Sequence, residues 1–256
     1  MPALTFNGSS DYVEYSGGQL VPEPPYTVTL WQRRTNALGI FVSWNSGSLA
    51  NSDGRGRTGW SNTSFGRLNH QIKDDGGVFG VASSSENLNV NEWIFASYRS
   101  SGAANRDVRP NSGTVVTNTS NRTVTGLDTF WLGREKTGAS YQYYWQGQLA
   151  GLSIFSRVLT EDELDILYNG ADPRTLSGQS DHIDSWLLDE IVDGKVIGIA
   201  NGTEMTVSGA TLSEDIDGPE LSWGGGSLAR MHDLRGAPVM FNPRSFAAWS
   251  GVRAAR

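Results

Sequence analysis

Glu163 and Asp165, inside GLSIFSRVLTEDELDILYNG (151–170), are the first residues whose types and spacing suggest chemistry. Glycoside hydrolysis needs two carboxylates facing one cleft, roughly 5–9.5 Å apart, one acting as acid and the other as nucleophile or base. The element that carries them decides whether they can. Two positions apart on a strand share a face, whereas on a helix they stand about 200° apart around the axis. The neighbouring residues specify a helix. Thr160 and Glu163 have the spacing of a capping box, each side chain bonding the other's backbone N–H. Leu159 and Leu164 can close a hydrophobic staple, Leu164, Leu167 and Tyr168 form one apolar face, and Gly170 supplies the stop. The spacing predicts a short helix near 160–169 that points the two acids apart, so the chain reads as non-enzymatic.

Other reactive sets are incomplete. His70, His182 and His232 form no H-x-x-x-H or H-x-H pair, and His70 reads as a structural residue on a strand-like run. There is no phosphate-binding G-x-x-x-x-G-K-[ST] loop and no G-x-S-x-G elbow. GRGRTGW (54–60) reads as an exposed turn carrying two arginines. Nothing calls for an organic cofactor. Zero cysteines exclude disulfides and thiolate metal sites. Aromatic residues are the better lead. Trp60 beside Asn62, and Tyr141 with Tyr143 in the run YQYYW, combine flat rings with amides and hydroxyls, the chemistry that covers the C–H face of a sugar and bonds its hydroxyls. Trp31, Trp93, Trp131 and Trp186 are expected in the core.

The elements that must position these residues are strands. ALTF, DYVEY, YTVTLWQR, GIFVSW, FGRLNHQI, VFGVAS, EWIFASYR, TVVTNT, TFWLGR and YYWQGQLAGLSIFS recur between turn residues, several alternating apolar and polar. Ten short strands without long intervening helices predict an all-β, two-sheet sandwich. In 256 residues with 38% hydrophobic content there is enough apolar mass for its core. No run approaches the roughly 18–20 apolar residues that span a bilayer, and MPALTFNGSSDYVEY has the pattern of no secretory signal.

LTFNGSSDYVEY (4–15), TVTLWQR (27–33), NEWIFASYR (91–99), TFWLGR (129–134) and WQGQLAGLSIFSRVLTEDELDILYNG (145–170) together resemble the laminin-G-like, concanavalin A-like jelly-roll family. The β-sandwich glucanases among such folds carry an E-x-D-x-x-E motif, and here ELDIL runs into Tyr168, so the last acid is missing. DSWLLDEIVDGKVIGIANGTEMTVSGATL (184–212) resembles a segment that opens many members, yet here it follows the helix. It is expected to close the sandwich late, in a permuted order, within a jelly-roll domain spanning 1–215. The family also implies glycan or protein binding at one rim, in some members with Ca²⁺ held by clustered oxygens. The candidates for such a site are Asp11, Asp53, Asp74 and Asp75, each of which a turn would equally explain.

Residues 216–256 do not continue the strand pattern. Gly224-Gly225-Gly226 reads as a hinge, and FNPRSFAAWSG as one short helix capped by Asn242 with Pro243 at its first position. From Ala229 onward five arginines face one acid, Asp233, giving +4; the chain's −7 less that +4 leaves −11 on residues 1–228. Arg230, Arg235, Phe241, Arg244, Phe246, Trp249 and Arg253 have the composition of a partner-binding arm. The arm is expected to be held by its own domain, by a second copy, or by another protein of an assembly. Nucleic acid is disfavoured, because a body of −11 repels a polyanion. Chains of this form resemble laminin-G-like proteins carried on bacteriophage particles. The expectation is a virion structural protein, a capsid decoration or accessory component assembled in the host cytoplasm and displaying its jelly roll to a host glycan. A carbohydrate-binding lectin is the alternative.

Overall fold

A computed structural model describes residues 1–35, 39–46, 55–60, 66–137, 140–214 and 218–223, with the backbone alone at 46, 55, 60 and 137. In chain order the strands are β1 (Leu4–Asn7), β2 (Tyr12–Tyr15), β3 (Tyr26–Arg34), β4 (Gly39–Ser46), β5 (Arg55–Trp60) and β6 (Leu68–Lys73). Then come β7 (Phe79–Ser83), β8 (Trp93–Gly102), β9 (Asn105–Pro110), β10 (Val116–Asn118), β11 (Leu127–Leu132) and β12 (Glu135–Thr137). After β13 (Ser140–Gln142) and β14 (Gln146–Phe155), the helix α1 (Glu161–Tyr168) precedes β15 (His182–Trp186), β16 (Lys195–Ile197), β17 (Glu204–Ser208) and β18 (Thr211–Leu212).

Two eight-stranded antiparallel sheets form a jelly-roll sandwich. The back sheet runs β10-β9-β8-β3-β14-β1-β18, with β15 also paired to β14; the front sheet runs β16-β17-β2-β11-β4-β5-β6-β7. Alternation along β3 and β11 sends Val28, Leu30, Phe130 and Leu132 into the layer between the sheets, where they meet Trp44, Trp145 and Trp186. Trp186 is in that core as its pattern predicts. Trp131 is likewise buried, on the outer side of the front sheet beneath Tyr141, whereas Trp31 and Trp93, also expected in the core, are only half-buried.

Within GRGRTGW, residues 55–60 are strand β5 rather than a turn, paired on both sides to β4 and β6. Its glycines are the reason it looks unlike a strand. A Cβ on Gly56 would lie 2.1 Å from the Trp44 ring, so bulk on this strand is supplied by its neighbour.

The late segment completes both sheets. β18 pairs with β1 and β15 with β14 in the back sheet, while β17 pairs with β2 in the front sheet. One residue holds this segment in shape. Asp184 is 0% exposed; its Oδ1 accepts from the backbone N–H of Ser185, Ala200 and Asn201 at 2.8, 3.0 and 3.2 Å, and its Oδ2 from Thr203 at 2.8 Å.

Helix α1 is capped as the sequence specifies. Thr160 Oγ1 accepts from Glu163 N at 3.2 Å and Glu163 Oε2 from Thr160 N at 2.9 Å. At the other end Gly170, at φ +82°, allows Gly170 N–H to reach Leu167 O and Ala171 N–H to reach Ile166 O, the paired bonds of a Schellman turn. Its Leu164 and Leu167 pack with Phe95, Phe155 and Leu159 on the outside of the back sheet. Glu163 is held by Arg157, at 2.6 and 2.8 Å, and Asp165 by Arg109, at 2.6 Å. Each carboxylate serves a separate ion pair, and they face no common cleft.

Candidate functional site

The outer face of the front sheet gathers polar and aromatic side chains from several strands. Register partners share a face, so Thr206, Glu14, Trp131, Ser43, Arg57, Gln71 and Val81 form one row across seven strands. Over this row folds the β12–β13 hairpin. Ser43 Oγ donates to Arg134 O at 2.7 Å and Asn45 Nδ2 to Lys136 O at 2.8 Å, which seats the hairpin on β4. Arg57 then reaches up from β5, its Nη1 on Glu135 Oε2 at 2.5 Å and its Nε on Gln71 Oε1 at 2.7 Å.

Two guanidiniums organise the rings. Arg134 lies between Tyr12 and Tyr141, its Cζ 3.3 and 3.6 Å from the ring centroids, with Glu14 at 3.4 Å. Arg57 approaches Phe79 and Tyr143 at 5.0 and 5.6 Å. Each such contact fixes a ring's tilt and is worth roughly 0.5–2 kcal/mol, depending on desolvation. Tyr143 sits at φ +54°, a conformation uncommon outside glycine, and its carbonyl is tied down by Ile40 N–H at 2.9 Å. Tyr141 and Tyr143 nonetheless remain 40% and 45% exposed. The result is a preset pair of open rings flanked by carboxylate, amide and ammonium groups.

The sequence singled out Tyr141 and Tyr143, and the structure brings them onto one surface with Tyr12, Arg57, Phe79 and Arg134. Those four were not legible, because β2, β5, β7 and the link between β11 and β12 that carries Arg134 meet only through tertiary pairing. For Trp60 only the backbone, in β5, is described; Asn62 lies outside the described residues, as do Arg230, Arg235, Phe241, Arg244, Phe246, Trp249 and Arg253.

The described calcium candidates, Asp11, Asp74 and Asp75, form no ligand cluster. Asp11 accepts from Asn7 N–H at 2.9 Å and Ser10 Oγ at 3.2 Å, closing its own turn. Asp74 accepts from Val78 N–H and Asp75 from Thr125 Oγ1, while Asp53 lies outside the described residues. Among the described residues no three His, Cys, Asp or Glu side chains gather as metal ligands would. Asp11 and Asp74 are used in local turn hydrogen bonds, as short acidic side chains are in loops, and Asp75 in a long-range bond to Thr125.

Two histidines are buried in the fold. His70 spans from Asp107 O to the Tyr26 hydroxyl, 3.0 Å on each side, and burial pushes its pKa down to about 3. His182 Nε2 is 2.7 Å from Ser185 Oγ, which donates to Ser153 Oγ at 2.7 Å. That serine–histidine contact resembles half of a nucleophilic triad. Its Nδ1 has no partner, however, and both serines are sealed between strands, out of reach of any substrate carbonyl.

Residues 7–165 match the family model described as the concanavalin A-like lectin/glucanases superfamily. No curated protein sequence matches the chain. Among solved structures, a putative carbohydrate-binding protein from Bacteroides ovatus superposes with a TM-score of 0.58 at 15% identity, covering 85% of this chain and 60% of that one. The CBM40 module of the Ruminococcus gnavus IT-sialidase, solved with α2,3-sialyllactose, superposes with a TM-score of 0.55 at 15% identity over 66% of this chain and 98% of the module. A heptameric SAP-like pentraxin from Limulus polyphemus gives 0.52 at 15% identity, over 65% and 81%. With a model that spans well over half its length and two antiparallel sheets in the corresponding arrangement, this chain belongs to the concanavalin A-like lectin/glucanase superfamily.

Proposed function

We propose that this protein is a non-catalytic, lectin-like carbohydrate-binding module whose ligand stacks on Tyr141 and Tyr143. The observation that carries the reading is the pair of exposed rings held in fixed orientation by Arg134 and Arg57. A tyrosine face covers the C–H patch of a pyranose, and the groups beside it (Glu14, Gln71, Lys136) bond hydroxyls. Preset rings lose little entropy on binding, which suits a weak, shallow sugar site. The sialidase module with sialyllactose bound is a sandwich of this fold that takes an oligosaccharide; in this chain the reading rests on the platform itself.

The test is a glycan array followed by calorimetry on the best ligand, with Tyr141→Ala and Tyr143→Ala. Saturable binding that weakens at least ~10-fold in each variant, about 1.4 kcal/mol, is expected. Binding unchanged in both variants, or no sugar bound at all, overturns it.

A second reading is attachment to a larger assembly, as a virion decoration protein, through residues 229–256. Their +4 charge against a body of −11 supports it. Deleting 229–256 is expected to leave a folded domain that no longer incorporates into the particle, and unchanged incorporation refutes it.

A further inference from the structure

At the end of the sandwich where β4, β6 and β8 finish and β3, β9 and β11 begin, the sheets part around a cavity of about 200 Å³. Tyr26, Trp44, Ile72, Val124 and Leu127 give it aromatic and aliphatic walls. Arg106 also lines it, although only 1% of that residue is exposed. Its Nη1 donates to Asn118 Oδ1 at 2.7 Å and Ser120 O at 2.9 Å, and its Nη2 to Ala103 O at 2.8 Å. All three acceptors are neutral. Nε has no partner, and among the described residues no carboxylate lies within ion-pair distance of this guanidinium.

Buried cations are ordinarily paired, because desolvation costs several kcal/mol per ion. Here the neighbourhood makes matters worse. Arg122 lines the same cavity and shares Asp74 only at 3.7 Å. Burial above all, and Arg122 besides, hold Arg106 below its usual pKa. The fold nevertheless makes room for it: a Cβ on Gly80 would fall 2.1 Å from Arg106 Nη1. An uncompensated guanidinium at the wall of an apolar cavity is the arrangement an anionic ligand completes. Size narrows the ligand. A cavity of ~150 Å³ holds benzene, so this one takes a six-membered ring with one or two small substituents. Glu23 at the exposed rim disfavours a second negative charge.

We infer that this cavity is a binding site for a small monocarboxylate built on a six-membered ring, its carboxylate facing Arg106 and its ring between Trp44 and Leu127. The body is either an aromatic ring or a uronic-acid sugar, and the probes separate the two. In ¹⁵N-labelled full-length protein, the Arg106 Nε–H and Trp44 Nε1–H resonances report directly from the wall. Benzoate and D-glucuronate are titrated beside their neutral counterparts benzamide and D-glucose. One of the acids is expected to shift both resonances saturably, at least ~10-fold tighter than its counterpart. Ala103→Phe, at the half-open mouth, is expected to abolish the shifts with the melting temperature kept. Tyr141→Ala is expected to leave them intact, which separates this site from the sugar platform. No shift with either acid up to about 10 mM, the scale of a very weak site, overturns the inference. So does an equal response to the neutral partner, or binding that survives Ala103→Phe.

Discussion

Replacing Asp184 tests whether the late segment is what closes the sandwich. Its carboxylate is fully buried and takes four backbone N–H groups from 185, 200, 201 and 203, so the 198–203 turn is wrapped around one side chain. That turn aligns β16 and β17, and Thr203 O accepts the Trp186 indole N–H at 2.8 Å. Asp184→Asn keeps the shape but replaces one acceptor by a donor. With the nitrogen at Oδ2 it opposes the Thr203 N–H, and the remaining bonds lose their charge. A hydrogen bond to a charged group contributes roughly 1.5–3 kcal/mol, so the loss is about 2–3 kcal/mol. Asp184→Ala strips all four donors. Each buried, unpaired N–H costs roughly 1–3 kcal/mol, and relaxation of the turn toward water recovers part of the total, leaving about 4–5 kcal/mol. Against a stability of roughly 5–15 kcal/mol, the alanine variant is expected to be marginal. Urea unfolding of purified protein, with midpoint and slope fitted together, reads both numbers. An alanine variant within about 1 kcal/mol of the parent refutes the reasoning, because the turn must then hold itself.

His70 is neutral when folded, with a pKa of about 3 against about 6.5 unfolded, so the unfolded chain binds the extra proton between those values. Its contribution is complete above pH 6.5 and is lost as pH falls toward 3, at up to about 1.4 kcal/mol per pH unit, and urea midpoints of a His70→Gln variant are expected to show a flatter profile over that window. Glu163→Gln breaks the bidentate pair with Arg157 and weakens the capping box, for about 1–2 kcal/mol at pH 7. Arg157 holds the Glu163 carboxyl below its usual range, so this loss is expected to vanish in melts below that lowered pKa. Gly56→Ala drives a methyl into Trp44 and is expected to cost about 1–3 kcal/mol by calorimetry, since β5 lies mid-sheet.

Much of this protein is written in local pattern. The capping box at Thr160–Glu163, the apolar positions of α1 and the alternation of β3 need only neighbours in the chain to be read, so the helix and the all-β sandwich follow from sequence alone. Tyr141 and Tyr143 are legible for the same reason, as aromatic residues in a polar run. What surrounds them is not. Arg134 joins Tyr12 to Tyr141 across 129 positions of chain, and Arg57 joins β5 to the hairpin, through pairings that only the closed sheet creates. Glycine obscured β5, because its partner Trp44 carries the bulk that a strand's own side chains ordinarily supply. The sequence likewise marks Arg106 as one arginine among many; its burial without a counter-ion exists only once β9 is set against β7 and β8. Periodicity reports which way a residue faces, and only tertiary packing decides what it faces.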